Sequence, residues 1–419
     1  MIKGFIGGAG CGKTHQLMEA LGDHLEMFPL QEGQKVLALT FMHGSRRRLE
    51  DRLKRLPTLI RRTDCSTIDS FAWRLVQRWS SLVEELGFTD IQPDDYERVC
   101  DAAGQLLQID DVCGWVASTF PIFLVDEAQD MTQSRLRIVQ GLVNRLTLFV
   151  AADEFQCLNE NLRPNPACEW LGAFESVIEL TQPRRTSNLE LLNAATAIRE
   201  GRPPVSDNTF RIELTPRPPL AGAWVNGNLR FYGGGRSVAV ITPALGDFAQ
   251  ASILWAANNT TRGGAGPYTI SWEESEARSV ANFLERIVLQ SVNDIPYITS
   301  LLSDAGDRRL LHDLVDWMDI QRRAKGRTDF SKEEIEQAIK KSFSQRRRLG
   351  NGGGRKWHGM TVHGAKNREF DNVIVLWPAA VSGTDEQKRR LLYNAVTRAK
   401  ERCLVLVQAG AHLRRAPFT

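Results

Sequence analysis

The sequence predicts an α/β protein of two units, each a parallel sheet covered by helices and each carrying a small, mostly helical insertion. Three observations predict this. Apolar, β-like runs alternate with helical patterns through the first half of the chain. A stretch rich in Pro and Gly at 201–219 and a nearly all-glycine run at 350–354 punctuate the second half. At 419 residues the chain is also too long for one core.

Taken in order, the first unit occupies residues 1–182, with strands expected at 2–6, 36–41, 122–125, 146–151 and 177–180. Between about 76 and 119 the pattern turns helical and the β–α rhythm stops, which marks the first insertion. The second unit occupies 183–419, with strands expected at 238–242, 360–362, 373–376 and 404–407 and a helix over about 385–402. Its insertion is the mostly helical block 249–350, broken at 258–267.

Composition narrows the class. Hydrophobic residues make up 42% and charged residues 25%, ordinary values for a globular chain. The formal charge is only +3, so a nucleic-acid surface has to come from local basic clusters. The 7 cysteines are scattered singly with no C-x-x-C pair, which argues for free thiols in a reducing cytoplasm. No apolar run approaches the roughly 18 residues of a membrane span. The N-terminus leads straight into a glycine loop, so no signal peptide is expected. The expectation is a cytoplasmic protein with no membrane partner.

That loop carries the chemistry. Gly7, Gly8, Ala9, Gly10, Cys11, Gly12, Lys13 and Thr14 fit G-x-x-x-x-G-K-[ST] at every fixed position, between an apolar run and a helix-like stretch. Glycines let the backbone cradle phosphate with N–H groups, and the helix N-terminus adds partial positive charge. Lys13 would reach the outer phosphates, and the Thr14 hydroxyl would ligate Mg²⁺. Further on, an apolar strand ends in Asp126 and Glu127. After a phosphate loop, Asp126 would hold Mg²⁺ and Glu127 would activate or orient the attacking water. The cofactors expected are ATP and Mg²⁺.

With Ala128, Gln129 and Asp130 added, the pair becomes Asp-Glu-Ala-Gln-Asp. This resembles the DExQD box of superfamily 1 helicases of the UvrD/Rep/PcrA type (subfamily A). Further boxes follow in the family's order. Leu39-Thr40-Phe41 with Gly44-Ser45-Arg46 resembles the nucleic-acid-contacting motif Ia, and the run from Ser66 and Thr67 to Phe71 resembles T-x-H-S-F. VAADEFQ, ending at Gln156, is similar to VGDxxQ, and LTQPRRTS to L-x-Q-N-Y-R-S-T. TVHGAKNREF, from Thr361 through His363 to Phe370, resembles T-x-H-x-x-K-G-L-E-F. RLLYNAVTRAK resembles R-L-x-Y-V-A-x-T-R-A.

The resemblance implies two RecA-like P-loop domains, the first with a 1B-like insertion and the second with a reduced 2B-like one. It makes Gln156 a γ-phosphate sensor, Arg185 a phosphate-binding arginine, Arg398 an arginine finger and Glu369 a ribose contact. It assigns nucleic-acid contact to Phe41, Arg46, Arg47, Arg48, Thr67, Thr361 and His363. The partner it implies is single-stranded DNA, with or without a duplex junction.

The sequence also departs from the family. Only six residues precede Gly7, so no glutamine element for reading adenine fits there, and Arg184 stands where a tyrosine stacks on the base. A guanidinium plane also stacks on a purine. After Gln156 the usual aromatics are replaced by Cys157 to Leu162, with no ring to stack a nucleic-acid base. Phe41, Trp73, Trp357 and Trp377 are the candidate substitutes, and Asn367 and Arg368 replace the usual Gly-Leu. Basic clusters at Arg46, Arg47, Arg48, Arg52, Lys54 and Arg55, and around the glycine run at Arg346, Arg347, Arg348, Arg355 and Lys356, supply the expected phosphate contacts. Two functions follow from this reading. One is a DNA-dependent ATPase that translocates on single-stranded DNA, 3′→5′ by resemblance, and unwinds duplex. The other is an ATP-gated binding or regulatory subunit without unwinding of its own, working with a protein partner such as a nuclease.

Overall fold

The computed structural model describes residues 1–419 apart from 42, 182–187, 233–234, 274–275 and 350–356, and apart from the side chains of 43–45, 47, 276–278, 324–325 and 344–349. The chain divides into two compact units, Met1–Thr269 with Thr361–Thr419, and Ile270–Met360.

The larger unit begins with β1 (Ile2–Gly7), α1 (Lys13–Met27), β2 (Val36–Thr40), α2 (His43–Leu53) and β3 (Thr63–Thr67). Four helices follow, α3 (Ile68–Arg78), α4 (Ser80–Glu85), α5 (Tyr96–Leu106) and α6 (Asp110–Thr119). Then come β4 (Ile122–Val125), α7 (Gln133–Val143), β5 (Thr147–Ala152), α8 (Pro166–Gly172) and β6 (Val177–Leu180). The six strands form one parallel sheet in the order β3-β2-β4-β5-β1-β6.

β2 and β4 are buried along their whole length, as central parallel strands are. Their alternate residues feed two cores. Leu37, Leu39, Phe123, Val125, Leu148 and Val150 face one; Val36, Ala38, Leu124 and Phe149 face the other, against Leu17 and Leu21 of α1 and Leu49 and Leu53 of α2. The stretch expected as an insertion shares the first of these cores: Val99, Cys100, Ala103 and Leu106 of α5 and Val112 and Val116 of α6 pack with the sheet.

The chain continues through α9 (Leu189–Glu200), β7 (Phe210–Leu214), α10 (Pro218–Tyr232), β8 (Val238–Thr242) and α11 (Asp247–Asn258). α10 and α11 approach closely because Gly222 has no side chain. A Cβ there would stand 2.7 Å from Trp255 Cε3 and 2.8 Å from the Ser252 carbonyl oxygen. Gly222→Ala is therefore expected to cost about 1–3 kcal/mol by overpacking. Urea titration checks it: the midpoint should fall while the slope stays constant.

The smaller unit holds β9 (Ser271–Trp272), α12 (Glu276–Leu284), β10 (Val292–Asp294), α13 (Ile295–Asp304), α14 (Arg308–Lys325), β11 (Asp329–Ser331), α15 (Lys332–Leu349) and β12 (Trp357–Thr361). β10 and β11 pair antiparallel through Asn293 and Phe330. Phe283, Ile298, Leu302, Leu314, Phe330 and Ile339 give this unit a core of its own.

Back in the larger unit come β13 (Phe370–Trp377), α16 (Asp385–Val396) and β14 (Ala399–Val407). β7, β14, β13 and β8 run parallel in that order. The fold class is as expected: α/β, with parallel strands flanked by helices.

Some element limits need correction. The helix expected over 385–402 ends at Val396, because the backbone N–H groups of Thr397 and Arg398 turn back to the carbonyls of Tyr393 and Ala395, and β14 starts at Ala399. The strand expected at 360–362 lies at Trp357–Thr361. β3, β7, β9, β10 and β11 were not expected: they are two to five residues long, and several are polar. All seven cysteines are free. No helix among the described residues is long and apolar enough to cross a membrane.

Candidate functional site

The site forms where strands of the first sheet end, the usual place for a ligand in a parallel α/β sheet. β1 runs into the glycine loop, where Gly10 and Gly12 hold φ of 80° and 77°, conformations that cost glycine little. Gly12 precedes α1 and brings no side chain to its first N–H groups, which leaves that helix end open to an anion. Lys13 Nζ donates to the Gly7 and Gly8 carbonyls at 2.9 and 2.8 Å, and Ala9 N–H donates to Tyr393 Oη at 2.6 Å. Cys11 is buried, and its thiol pKa is pushed up by that burial.

β4 delivers Asp126 and Glu127. Thr14 Oγ1 donates to Asp126 Oδ2 at 3.2 Å, so a hydroxyl and a carboxylate converge, a donor set suited to a hard dication. Burial, and next the neighbouring Glu127 carboxylate, push the Asp126 pKa up to about 6. A dication there would relieve that cost. The residues fit Mg²⁺. Glu127 sits at φ 63°, a left-handed conformation that a non-glycine residue adopts only under constraint. Gln129, fully buried, holds the Glu127 carboxylate: its Nε2 donates to Glu127 Oε2 at 2.5 Å, and its Oε1 accepts from Asp153 N–H at 2.9 Å.

β5 ends near Asp153, which is fully buried among polar partners. Its Oδ2 accepts from Gln156 Nε2 at 2.8 Å and lies 3.6 Å from Lys13 Nζ; its Oδ1 accepts from Arg199 Nη1 at 3.2 Å. Arg398, only 2% exposed, donates from Nη2 to Gln156 Oε1 at 3.1 Å and from Nε to the Asn394 carbonyl at 3.0 Å.

Gly10, Gly12, Lys13, Thr14, Asp126, Glu127, Gln156 and Glu369 line an open cleft of about 800 Å³, with His15, Met18, Arg52, Arg55, Leu56 and Lys400. Lys400 Nζ lies 3.5 Å from Glu369 Oε2. A recess sharing Thr14, Asp126, Glu127 and Glu369 adds Arg48, Leu49, Asn367 and Arg398. The structure thus brings Gly10, Gly12, Lys13, Thr14, Asp126, Glu127, Gln156 and Glu369 to one cleft and Arg398 to its recess. Arg184 and Arg185 lie outside the described residues.

The residues expected to touch nucleic acid are more spread out. Thr40 and Thr67 pair across β2 and β3, so Phe41 and Thr67 flank the carboxyl edge of these strands. Phe41 packs partly on the core, while Thr67 is buried and caps α3 by accepting from Ser70 N–H at 3.2 Å. Arg46 is half-buried, Arg48 opens toward the nucleotide recess, and the Arg47 side chain is outside the described set. Thr361 Oγ1 accepts from Gly364 N–H at 3.2 Å, and His363 is exposed beside it. Among the candidate stacking rings, Trp377 is fully buried and donates from Nε1 to His412, and Trp73 packs against the first core. In the segment that replaces the usual aromatics, Cys157 and Leu162 are buried while Asn159, Glu160 and Asn161 between them are exposed and polar.

The sequence places Gln129, Asp130, Asp153, Lys366 and Tyr393 inside the boxes above without a role and does not single out Arg199; Lys366 and Asp130 form an ion pair with an Nζ to Oδ1 distance of 2.5 Å. Asp153 carried a signal, since it ends an apolar run just as Asp126 does. Arg199 carried none.

Two family models match the sequence: an AAA domain over residues 2–160, and a UvrD-like helicase C-terminal domain over residues 358–406. The first takes in Lys13, Asp126, Glu127, Asp153 and Gln156; the second takes in His363, Glu369, Tyr393 and Arg398.

The chain thus carries a segment similar to the UvrD-like helicase C-terminal domain.

Its matched domains are those of a helicase and ATPase family. No curated protein matches the sequence closely enough to count as a relative. Among solved structures, a DNA complex of the arterivirus nonstructural protein 10 helicase is similar over 99% of this chain and 63% of that one, at 10% identity and a TM-score of 0.40. A crystal structure of the same viral protein is similar over 98% and 61%, at 11% identity and a TM-score of 0.39. This chain therefore spans less than two-thirds of the length of either.

Proposed function

We propose that this UvrD-like protein is a DNA-stimulated ATPase that translocates along single-stranded DNA, with the 3′→5′ polarity its family resemblance implies. The observation that carries the reading is the convergence of Lys13, Thr14, Asp126, Glu127 and Gln156 with Arg398 around one cleft, closed by the 3.1 Å bond between Arg398 and Gln156. Residues 1–182 and 183–419 act as the two motor halves, the first holding nucleotide and the second answering it. Thr14 and Asp126 would hold Mg²⁺, which when bound supplies the charge neutralisation that phosphoryl transfer needs. Lys13 binds the outer phosphates. Glu127, oriented by Gln129, takes the proton of the attacking water. Gln156 and Arg398 form one hydrogen-bonded pair, so a group that contacts either one is felt by the other. Free thiols support a reducing, cytoplasmic setting.

Base selectivity is expected to be weak. Arg184 stands where the family's tyrosine stacks on the base, and stacking on a guanidinium barely separates purines. The kcat/KM values for ATP and GTP should lie within about a hundredfold. A preference above about a thousandfold would require a hydrogen-bonding base reader.

One observation favours a second reading, an ATP-gated clamp or regulatory subunit that works with a partner such as a nuclease. The segment from Cys157 to Leu162 exposes Asn159, Glu160 and Asn161 and offers no aromatic platform, and base stacking is worth about 1–3 kcal/mol per base. Strand displacement assayed beside ATP hydrolysis separates the two. Unwinding of a 3′-tailed duplex supports the motor; DNA-stimulated hydrolysis without unwinding supports the clamp.

A further inference from the structure

Two donors of the glycine loop, the Lys13 ammonium and the Ala9 N–H, are already engaged by the protein itself. Lys13 Nζ donates to two loop carbonyls and faces Asp153 at 3.6 Å, and Ala9 N–H donates to Tyr393 Oη at 2.6 Å. Tyr393 and Arg199 come from α16 and α9, which pack on each other and on β14, and α16 also meets residues 154–156 just after β5. Both side chains reach the loop at one point: a Cβ on Gly8 would stand 3.2 Å from Tyr393 Oη and 3.1 Å from Arg199 Nη1. Gly8 occupies a position the phosphate-loop pattern leaves open, so this close approach accounts for a glycine that the motif does not.

Tyr393 is held firmly. Its hydroxyl donates to Asp153 Oδ2 at 3.4 Å, and its ring meets Phe155 edge-on at 5.0 Å. Phe155 is in turn flanked by the guanidinium groups of Arg390 and Arg199, at 4.8 and 5.7 Å from the ring centre. Asp153 binds Lys13, Arg199, Gln156 and Tyr393 together, so it joins the loop lysine to both latch residues.

We propose that Tyr393, seated by Asp153 and Arg199, is a latch that competes with nucleotide for the Ala9 N–H group and so makes nucleotide entry depend on movement of α16. This rests on the ATPase reading and adds a residue that restrains binding to those that promote it. An entering phosphate must take over the Ala9 donor and the Lys13 charge. Tyr393 then has to withdraw, and α16, which also leads to Arg398, is displaced with it. Entry of nucleotide and placement of Arg398 are thereby one event.

The test is Tyr393→Phe in the full chain, which keeps the ring against Phe155 and removes only the hydroxyl. Binding of a fluorescent ATP analogue with Mg²⁺ and no nucleic acid should tighten about three- to tenfold, the worth of one hydrogen bond. The association rate should rise with it. A purely structural tyrosine would give the opposite result, weaker binding. Unchanged or weaker binding in a Tyr393→Phe protein that melts at the wild-type temperature overturns the latch. If the wild-type protein does not bind the analogue, and Lys13→Ala does not differ from it, the ATPase reading itself fails.

Discussion

Lys13→Ala and Glu127→Gln are each expected to lower ATP turnover on the order of a thousandfold, and only the first should also loosen the nucleotide. Lys13 is the sole lysine of the glycine loop, and its Nζ sits against the Gly7 and Gly8 carbonyls at the mouth of the loop. Removing it takes away a charge that ground state and transition state both use, so affinity and rate fall together. Glu127 differs. It stands in a left-handed turn after β4, its carboxylate held by the buried Gln129, whose other amide atom is committed to Asp153 N–H. The substitution keeps shape and hydrogen bonding but removes the basicity that a water molecule needs. Nucleotide affinity should stay within about threefold of wild type while turnover collapses. Equilibrium binding and single-turnover hydrolysis, measured on both variants, check the split. Near-normal turnover in Glu127→Gln would remove Glu127 from the mechanism.

The second large effect concerns Arg398. It is almost wholly buried on the tight connection between α16 and β14, and bonds to Gln156 at the end of β5. An arginine that stabilises transferring phosphoryl charge is worth about 10³–10⁵ in rate. Arg398→Ala is therefore expected to lower DNA-stimulated kcat by about a thousandfold while leaving the Kd for single-stranded DNA nearly intact. Arg398→Lys should rescue little, because the guanidinium fork serves Gln156, Asn394 and Thr397 at once. Charge reversal at Arg46 should do the converse: raise the DNA needed for half-maximal stimulation, flatten its salt dependence and spare kcat. Loss of DNA binding in Arg398→Ala would make its role structural rather than catalytic.

Much of this site was legible in the sequence, for a physical reason. Phosphate binding and water activation need fixed residue types at strand ends, so Gly7 to Thr14, Asp126 with Glu127, and Gln156 stand out in one dimension. The central strands were equally plain: β2, β4, β8 and the 373–377 part of β13 are buried on both faces and therefore read as apolar runs. The edges were not. β3 reads Thr-Asp-Cys-Ser-Thr and β7 Phe-Arg-Ile-Glu-Leu, and neither shows a continuous apolar signal because one side of each strand meets no neighbour. The polar hub was hidden for a different reason. Asp153 meets Arg199 from 46 residues away and Tyr393 from 240, a meeting that only the fold creates. The end of α16 was missed because the apolar and basic pattern of 385–402 runs on past Val396, while backbone bonding at Thr397 and Arg398 closes the helix.

Coupling of nucleic acid to the nucleotide cleft is read most directly from the steady-state ATPase rate at low salt with and without single-stranded DNA. Single-stranded RNA and blunt duplex run in parallel as comparators. Single-stranded DNA is expected to raise kcat at least about tenfold, by favouring the arrangement in which Arg398 and Gln156 meet the nucleotide. Blunt duplex is expected to do so much less. A rate that no nucleic acid changes would contradict the motor reading and leave a protein partner as the trigger.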